Sequence, residues 1–269
     1  MKAIILAAGR GSRLGKYTQD TPKCLLRILN KPLLEIQIET LRKAGINDIS
    51  VVRGYRHDKI QLEGLKYYDK RNYESTNMVV SLMTAKNELN DDTIVLYGDI
   101  LYEQRLLDDL LSSVGEVVVL ADEGWQKYWK MRYGSLNVDL ESFIIDGNHI
   151  IKQIGSSAIK SPDEMMVRYI GMVKFSKTCL EKVVTIAEEA EVLFSSEPWK
   201  HSRNPYQKAY MTDLIQALID DGIVVKAQTV NSGWLEFDTI EDYEKSLLWV
   251  EDGRINRLFC DFHSLFETT

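Results

Sequence analysis

Residues 6–14 read LAAGRGSRL and stand at the end of a continuous apolar run from Ala3 to Ala8. A short apolar run of this kind is typical of a buried strand. The glycines that follow it let backbone N–H groups approach phosphate oxygens closely, and the two arginines add charged donors. The stretch therefore predicts a strand that ends in a phosphate-binding loop.

Two familiar phosphate loops do not fit the spacing of these residues. A dinucleotide-binding fingerprint has a third glycine where Leu14 stands, and an acidic residue after the second strand, where residues 52–54 read VRG. A P-loop has the pattern GxxxxGK followed by Ser or Thr, whereas Gly11 and Gly15 are one residue too close and Tyr17 follows the lysine. The sequence thus argues against a nicotinamide-dependent oxidoreductase and against a P-loop protein.

In the first half of the chain, segments with the patterns of strands and helices alternate. Strands are predicted at 3–8, 49–52, 93–97 and 117–121, and helices at 33–44, 78–89 and 106–111. Such alternation produces a mainly parallel sheet with helices on both faces. We therefore predict a Rossmann-like α/β fold with three layers, α/β/α, around a mainly parallel mixed sheet.

The second half of the chain is less regular. It predicts a β-hairpin over 142–154, strands at 169–175, 224–229 and 234–237, helices at 177–190, 211–220 and 239–250, and a loop at 195–205. Thr239 and Asp242 have the spacing of a capping box, which favours a helix start at that point. The residues from 252 onward carry no clear pattern.

The chain is acidic overall but basic near its N-terminus. Its 269 residues carry a formal net charge of −7, which disfavours general binding to nucleic acid or to an anionic membrane. A local cluster of cations suits a small polyanion better, and it consists of Arg10, Arg13, Lys16, Lys23, Arg27 and Lys31. No apolar run approaches the ~20 residues of a membrane span, and we expect a cytoplasmic protein.

The phosphate loop is followed by two further short motifs, TPK at 21–23 and NKPL at 30–33. With the loop, these motifs resemble the nucleotidyltransferases of the sugar-nucleotide pyrophosphorylase superfamily, and the resemblance covers nearly the whole chain. Four later stretches are similar to the phosphocholine cytidylyltransferase group of that superfamily: YESTN at 73–77 with Ser81, YGD at 97–99, YIG at 169–171 and WLEFDT at 234–239.

The resemblance implies a fold of the nucleotide-diphospho-sugar transferase type. It also implies transfer of CMP from CTP to a small phosphorylated or phosphonylated amine, amino alcohol or amino acid, with release of pyrophosphate. A single catalytic domain is expected over 1–250, with an NTP-binding half at 1–121 and an acceptor-binding half at 122–238, followed by a C-terminal extension at 251–269. The expected partners are small molecules, not nucleic acid or membrane, and a homo-oligomer is left open.

By resemblance, Arg13 and Lys23 are the catalytic residues. Arg13 would clamp the β- and γ-phosphates, and Lys23 would contact the α-phosphate, where negative charge develops in the transition state. The nucleotide contacts implied by the resemblance are Leu6, Ala7, Ala8, Gly9, Gly11, Ser12, Arg13, Lys23, Asn77, Ser81 and Gly98.

Asn77 and Ser81 match positions near the base and the ribose. An Asn side chain can donate to the pyrimidine O2 and accept from the N4 amino group. Because Asn77 also precedes the helix predicted from Met78, it can instead be the N-cap of that helix. The sequence leaves both roles open.

The resemblance implies Mg²⁺ as the cofactor, held by Asp99 and Asp238. Each aspartate follows a predicted strand, and Mg²⁺ prefers a few carboxylates completed by phosphate oxygens and waters. Taken alone, Asp99 can be a turn residue and Asp238 a helix N-terminal residue, but the pair favours a metal site.

The side chains expected in the acceptor pocket depend on the kind of amine that the acceptor carries. A trimethylammonium group calls for an aromatic cage, whereas a primary ammonium calls for carboxylates. Six rings are available for a cage, although core packing is their alternative role: Trp125, Tyr128, Trp129, Tyr133, Tyr210 and Trp234. The expected acceptor-binding residues are Arg132, Asp139, Glu141, Tyr169, Tyr210, Asp213 and Glu236, with Arg168 as an alternative to Arg132 for the acceptor's anionic end.

Two other functions share these motifs. A sugar-1-phosphate nucleotidyltransferase that uses UTP, dTTP or GTP would have the same loop, Lys23 and both aspartates. A non-catalytic nucleotide-binding regulator would keep the fold, since a fold alone does not establish activity. A regulator would, however, be free to lose one of the four charged residues assigned to phosphate and metal, and all four are present.

Overall fold

A seven-stranded sheet forms the centre of the computed structural model, which describes residues 1–156, 166–200 and 202–267. In chain order, the strands are β1 (Lys2–Ala7), β2 (Arg27–Ile28), β3 (Lys31–Pro32), β4 (Asp48–Arg53), β5 (Lys66–Asp69), β6 (Thr93–Tyr97), β7 (Ile100–Tyr102), β8 (Val117–Asp122), β9 (Phe143–Ile145), β10 (Ile151–Ile154), β11 (Arg168–Phe175), β12 (Val225–Val230) and β13 (Trp234–Glu236). The helices are α1 (Leu33–Lys43), α2 (Met78–Thr84), α3 (Gln104–Ser112), α4 (Trp125–Tyr133), α5 (Leu180–Leu193), α6 (Met211–Asp220) and α7 (Ile240–Glu251). None of the helices in these ranges has both the length and the apolar composition needed to cross a bilayer.

The central sheet has the strand order β12-β8-β11-β6-β1-β4-β5. β11 runs antiparallel to its two neighbours, β6 and β8, whereas the other neighbouring strands are parallel. The hairpin predicted over 142–154 is also present, as β9 and β10. The mainly parallel mixed sheet predicted from the sequence is therefore confirmed.

β1 lies between β4 and β6, and its side chains alternate between two hydrophobic cores. Ala3 and Ile5 face a core built with α1, α3, α4 and α7, whereas Ile4 and Leu6 face a core built with α2, α5 and α6. Helices therefore cover both faces of the sheet, as the three-layer prediction requires. Because β1 is buried on both faces, its carboxyl end is held firmly, and the phosphate loop starts from that end.

α2 ends earlier than the sequence predicts. The apolar pattern extends the helix to residue 89, but α2 stops at Thr84, and Lys86–Glu88 form a 3₁₀ turn. Glu88 accepts hydrogen bonds from Lys2 at 2.9 Å and from Tyr68 at 2.6 Å. These hydrogen bonds join Glu88 to strands that are distant in the sequence. The spacing of apolar residues does not predict them, and it therefore overestimates the length of the helix.

The sequence pattern does not predict α4. Its buried residues are Trp125, Tyr128, Trp129 and Arg132, at the spacing of one helix face. Because arginine is rarely buried, this face does not look apolar in the sequence. The short strands β2, β3, β5 and β7 were likewise not predicted.

The segment predicted as a C-terminal extension packs on the main core. The Glu103 carboxylate accepts hydrogen bonds from the backbone N–H groups of Cys260 and Asp261, at 2.6 and 2.7 Å. Five apolar residues of the segment are buried in the core that contains α1: Ile255, Leu258, Phe259, Phe262 and Leu265. The segment therefore shares the hydrophobic core that contains α1.

Phe262→Ala should lower the stability of the fold. Phe262 is 1% exposed, and its ring lies 5.3 Å from that of Phe259. The truncation leaves a cavity, so we expect the free energy of unfolding in urea to fall by about 3–5 kcal/mol. Val114→Ala, at a position 81% exposed, is the control and should change it by less than about 0.5 kcal/mol. A Phe262 variant as stable as the control would contradict the role given to this segment.

Candidate active site

A cleft lies at the carboxyl ends of β1 and β6, where the phosphate loop meets α2. Asp99 lines this cleft, as does Lys70, which the sequence did not predict. Most of the predicted nucleotide contacts line it as well: Leu6, Ala7, Ala8, Gly9, Lys23, Asn77, Ser81 and Gly98. The structure thus brings together residues from four motifs that are far apart in the sequence.

The remaining predicted nucleotide contacts, Gly11, Ser12 and Arg13, lie beside the cleft at the start of the 3₁₀ turn Ser12–Thr18. Gly11 has a φ of 71°, and a Cβ at this position would lie 3.0 Å from the Cβ of Lys23. Only glycine accepts both the left-handed backbone and this close approach. Ser12 is exposed, and the Arg13 guanidinium reaches Asp238 at 3.2 Å.

Lys23 joins the two aspartates predicted to bind metal. Asp99 follows β6 and Asp238 follows β13, and the Lys23 Nζ donates to Asp99 Oδ2 at 2.5 Å and to Asp238 Oδ1 at 2.7 Å. Burial alone would lower the pKa of Lys23, but the two carboxylates outweigh it and raise this pKa above its ordinary value. Burial alone would raise the pKa of Asp238, but Lys23 and Arg13 hold it well below its usual range. Lys23 and Asp238 are therefore both charged at neutral pH.

Asp99 and Asp238 are arranged to share one cation. An oxygen of each lies within hydrogen-bonding distance of a single atom, the Lys23 nitrogen, so positive charge is already favoured at the point between them. Across the described ranges, no group of three or more His, Cys, Asp or Glu side chains is placed to hold a metal ion. A cation at this point would therefore take its other ligands from phosphate and water, which is how Mg²⁺ binds beside nucleotides. The donor set fits Mg²⁺.

Arg132 is buried among three carboxylates. Its side chain is 1% exposed, its Nε and Nη2 each donate to Asp242 at 2.8 Å, and Nη2 also reaches Asp238 at 3.3 Å. Nη1 donates to Glu236. Burial alone would raise the pKa of Asp242, but Arg132 outweighs it and lowers that pKa. Arg132 thus fixes Asp238 and Glu236 in place, while its own predicted contact with the acceptor stays a prediction.

A second polar region adjoins this network and contains several predicted acceptor residues. Glu141 accepts a hydrogen bond from Thr212 at 2.9 Å, and Asp139 pairs with Arg168 at 2.5 Å. Burial raises the pKa of both Glu141 and Glu236; for Glu236, Arg132 opposes this rise and Asp238 adds to it. Both carboxyl groups therefore bind a proton more readily than exposed ones do.

Tyr169, a predicted acceptor residue, packs against the strand that leads to Asp99. Its ring packs edge-to-face on that of Tyr97, with centroids 5.7 Å apart, and Tyr97 stands two residues before Asp99. Gly171 has a φ of 86°, and a Cβ there would lie 3.0 Å from the Tyr97 ring. Because Gly171 of the YIG motif has no side chain, the ring of Tyr97 in the YGD motif can pack against its backbone.

The last two predicted acceptor residues, Tyr210 and Asp213, form a cap at the start of α6. The Tyr210 backbone N–H donates to Asp213 Oδ2 at 2.7 Å, and the Tyr210 side chain is 49% exposed. Their contact with an acceptor stays a prediction.

Most of the rings considered for an aromatic cage lie in the core. Trp125, Trp129 and Trp234 are at most 1% exposed, and Tyr128 packs on Trp234 with centroids 5.2 Å apart. They support β13, the strand that carries Glu236.

Asn77 stands at the N-cap position of α2, but its side chain makes no capping hydrogen bond. Its Nδ2 donates to the Lys208 carbonyl at 3.1 Å. Ser81 is buried, and its hydroxyl donates to the Asn77 carbonyl at 3.0 Å while accepting from Lys70 at 2.7 Å. The capping role left open by the sequence is therefore not performed by the Asn77 side chain.

The first comparison with known proteins concerns the family. Residues 3–192 match the MobA-like NTP transferase domain, which is well over half of the chain. The chain belongs to this family of nucleotidyltransferases.

Individual relatives agree with the family. The nucleotidyltransferase is 34% identical over 257 residues to the CTP:phosphoglutamine cytidylyltransferase of Campylobacter jejuni, covering 91% of this chain and 98% of that one. It is 26% identical over 249 residues to a choline-phosphate cytidylyltransferase of Streptococcus pneumoniae, covering 91% and 96%. Both relatives confirm the resemblance to the phosphocholine cytidylyltransferase group.

A solved structure confirms the predicted fold type. The structure of CTP:phosphocholine cytidylyltransferase (LicC) from Streptococcus pneumoniae is similar to this nucleotidyltransferase, with a TM-score of 0.74 at 24% identity. The match covers 93% of this chain and 98% of that one.

Arg132→Met should destabilise this nucleotidyltransferase. The change leaves Asp238, Glu236 and Asp242 without their shared cation, and we expect the free energy of unfolding in urea at pH 7 to fall by about 3–5 kcal/mol. The loss should shrink in acid, because carboxyl groups that take up a proton need no cation.

The control for this change is Arg254→Met, which removes an exposed pair with Asp252. That variant should lose less than about 1 kcal/mol. If the two variants lost the same amount, Arg132 would not be the centre of the network.

Proposed function

We propose that this nucleotidyltransferase transfers CMP from CTP to a small phosphorylated or phosphonylated amine, amino alcohol or amino acid and releases pyrophosphate. The relatives named above support CTP, since one is a CTP:phosphoglutamine enzyme and another a choline-phosphate enzyme, each aligned over nine-tenths of this chain. The observation that carries the choice of acceptor is the position of two carboxyl groups in the polar region beside Arg132, where Glu236 accepts from Arg132 and Glu141 accepts from Thr212.

A primary or secondary ammonium suits this pair better than a trimethylammonium group does. An ammonium with N–H donors would neutralise the two carboxylates and satisfy them by charge-assisted hydrogen bonds. A trimethylammonium group would require aromatic faces, but Trp125, Trp129 and Trp234 are buried in the core. We therefore favour an amine-bearing acceptor, such as a phosphorylated amino acid derivative or 2-aminoethylphosphonate, over phosphocholine.

The proposed chemistry is an in-line displacement at the α-phosphorus of CTP. An acceptor oxygen forms a bond to this phosphorus while the bond to the β-phosphate oxygen breaks, so pyrophosphate leaves without a covalent enzyme intermediate. Both reactants are anions, so catalysis consists of positioning and charge neutralisation. Lys23 would donate to the α-phosphate, and Arg13 would hold the leaving phosphates.

Asp99 and Asp238 would hold Mg²⁺. When bound, Mg²⁺ neutralises and orients the triphosphate. Lys23, whose Nζ lies within 2.7 Å of one oxygen of each aspartate, would then donate to phosphate oxygens in place of these carboxylates. Arg132 keeps Asp238 aimed at this point through Nη2.

Asp99→Asn and Asp238→Asn should each lower Mg²⁺-dependent turnover by roughly 10²-fold or more, because each removes a negative ligand while keeping the side-chain shape. Pyrophosphate release is the measurement. Asp108→Asn, at an exposed site on α3, is the matched control and should leave the rate unchanged. Near wild-type turnover in either site variant would remove that aspartate from the metal site.

The experiment that tests the proposed function is a substrate matrix. Pyrophosphate release is measured with Mg²⁺ for four NTPs, each with phosphocholine, 2-aminoethylphosphonate, O-phosphorylated amino acids and derivatives, and sugar 1-phosphates. We expect release with CTP and an amine-bearing acceptor. Glu141→Gln should then raise KM for that acceptor and leave KM for CTP unchanged, since it weakens only the ammonium contact.

Other outcomes of the matrix separate the alternatives. Release only with a sugar 1-phosphate would show the sugar-nucleotide enzyme and overturn the acceptor proposed here. Nucleotide binding without release from any pair would favour the non-catalytic regulator.

A further inference from the structure

Lys70 is a buried cation in the wall of the nucleotide cleft. It follows β5, is 3% exposed, and lines the cleft together with the end of β1 and the start of α2. In the sequence it stands between Asp69 and Arg71, where it resembles an ordinary surface charge. Its position in the fold is therefore unexpected.

Two of the three N–H donors of the Lys70 ammonium are engaged by the protein. Nζ donates to the Asn77 carbonyl at 2.8 Å and to the Ser81 hydroxyl at 2.7 Å. Ser81 in turn donates to the same Asn77 carbonyl at 3.0 Å. The ammonium is thus held rigidly with one donor left for a ligand in the cleft.

No carboxylate pairs with Lys70 in the part of the chain that the structure describes. Burial, with a smaller contribution from Lys208, lowers the pKa of Lys70 to about 8. Because a buried charge without a counter-charge is costly, a ligand in the cleft that accepted a hydrogen bond from Lys70 would be bound favourably.

A hydrogen-bond acceptor adjoins Lys70. The Asn77 Nδ2 donates to the Lys208 carbonyl, which orients the amide and makes Oδ1 the acceptor side of the group. Lys70 therefore offers a donor and Asn77 an acceptor, on two residues held together by the hydrogen bond from Lys70 Nζ to the Asn77 backbone carbonyl. Both line the cleft.

A donor and an acceptor in this order are complementary to cytosine but not to uracil. Cytosine has an amino donor at N4 beside an acceptor at N3, whereas uracil has an acceptor at O4 beside a donor at N3. An acceptor facing position 4 and a donor facing position 3 would therefore bind cytosine and repel uracil.

We propose that Lys70 is a specificity-determining residue that selects CTP over UTP by donating to N3 of the cytosine ring, with Asn77 Oδ1 accepting from the N4 amino group. This inference rests on the proposed function, because it assumes that CTP is the substrate. In the proposed complex, Lys23 and Arg13, which pair with Asp238 here, would bind the phosphates of the nucleotide. Lys70 instead binds groups at the start of α2.

The first test compares Lys70→Met with a matched lysine elsewhere in the fold. Lys174 is 7% exposed and donates to the carbonyls of Leu111 and Ser113, outside the cleft, and burial lowers its pKa as well. We measure Kd and kcat/KM for CTP and UTP, with Mg²⁺, in the wild type, Lys70→Met and Lys174→Met.

We expect Lys70→Met to lower the preference for CTP over UTP by about tenfold or more, through weaker CTP binding, as for the loss of a charged hydrogen bond. Lys174→Met should keep the wild-type preference. If Lys70→Met weakened CTP and UTP equally, Lys70 would serve the phosphates or the fold, and the inference would be overturned.

The second test uses the unaltered enzyme, so that it does not depend on the folding of a variant. The triphosphate of 3-deazacytidine replaces ring N3 with C–H and keeps the N4 amino group. We expect it to bind roughly tenfold more weakly than CTP to the wild type. Equal binding of the two triphosphates would exclude a donor at N3.

The wild-type measurements separate this inference from the proposed function. If the wild type uses UTP as well as CTP, the proposed nucleotide is wrong before any variant is compared. If the wild type prefers CTP and Lys70→Met keeps that preference, CTP stands as the substrate and only the role of Lys70 fails.

Discussion

The site depends on holding carboxylates of like charge close together at the carboxyl ends of the strands. Asp99, Asp238 and Glu236 would repel one another in a half-buried setting. Two cations prevent this, since Lys23 lies between the first two and Arg132 bridges the last two. The loops after β6 and β13 can therefore meet only because the TPK motif, through Lys23, and α4, through Arg132, each contribute a positive charge.

The same electrostatic arrangement explains why the cleft suits anionic substrates although the chain carries a net charge of −7. The aspartates of the cleft are already paired, so an incoming triphosphate would meet Lys23 and Arg13 instead of unpaired carboxylates. In the region proposed for the acceptor the chemistry is different, because the carboxyl groups of Glu141 and Glu236 lie there and burial raises the pKa of both. An acceptor with a phosphate at one end and an amine at the other would meet the opposite charge at both ends.

The sequence predicts the sheet and the loop after β1 well because both follow from local patterns. The run before Gly9 alternates between two cores, and the charges of Arg13 and Lys23 stand in motifs of fixed spacing. Local patterns do not predict that Lys70 and Arg132 are buried. A charged side chain is expected at the surface unless its partners, which are distant in the sequence, are known. The fold type and much of the nucleotide cleft were therefore predictable, whereas the networks that orient them required the tertiary structure.

The contact between Lys23 and Asp238 spans 215 residues of chain. A ribosome produces the loop after β1 well before β13, so a growing chain contains Arg13 and Lys23 before their partner Asp238 exists. The proposed site can be assembled only once β13 has emerged. A product that stopped before β13 would contain the loop without the second aspartate and, under the proposed role of Asp238, would not transfer a nucleotide.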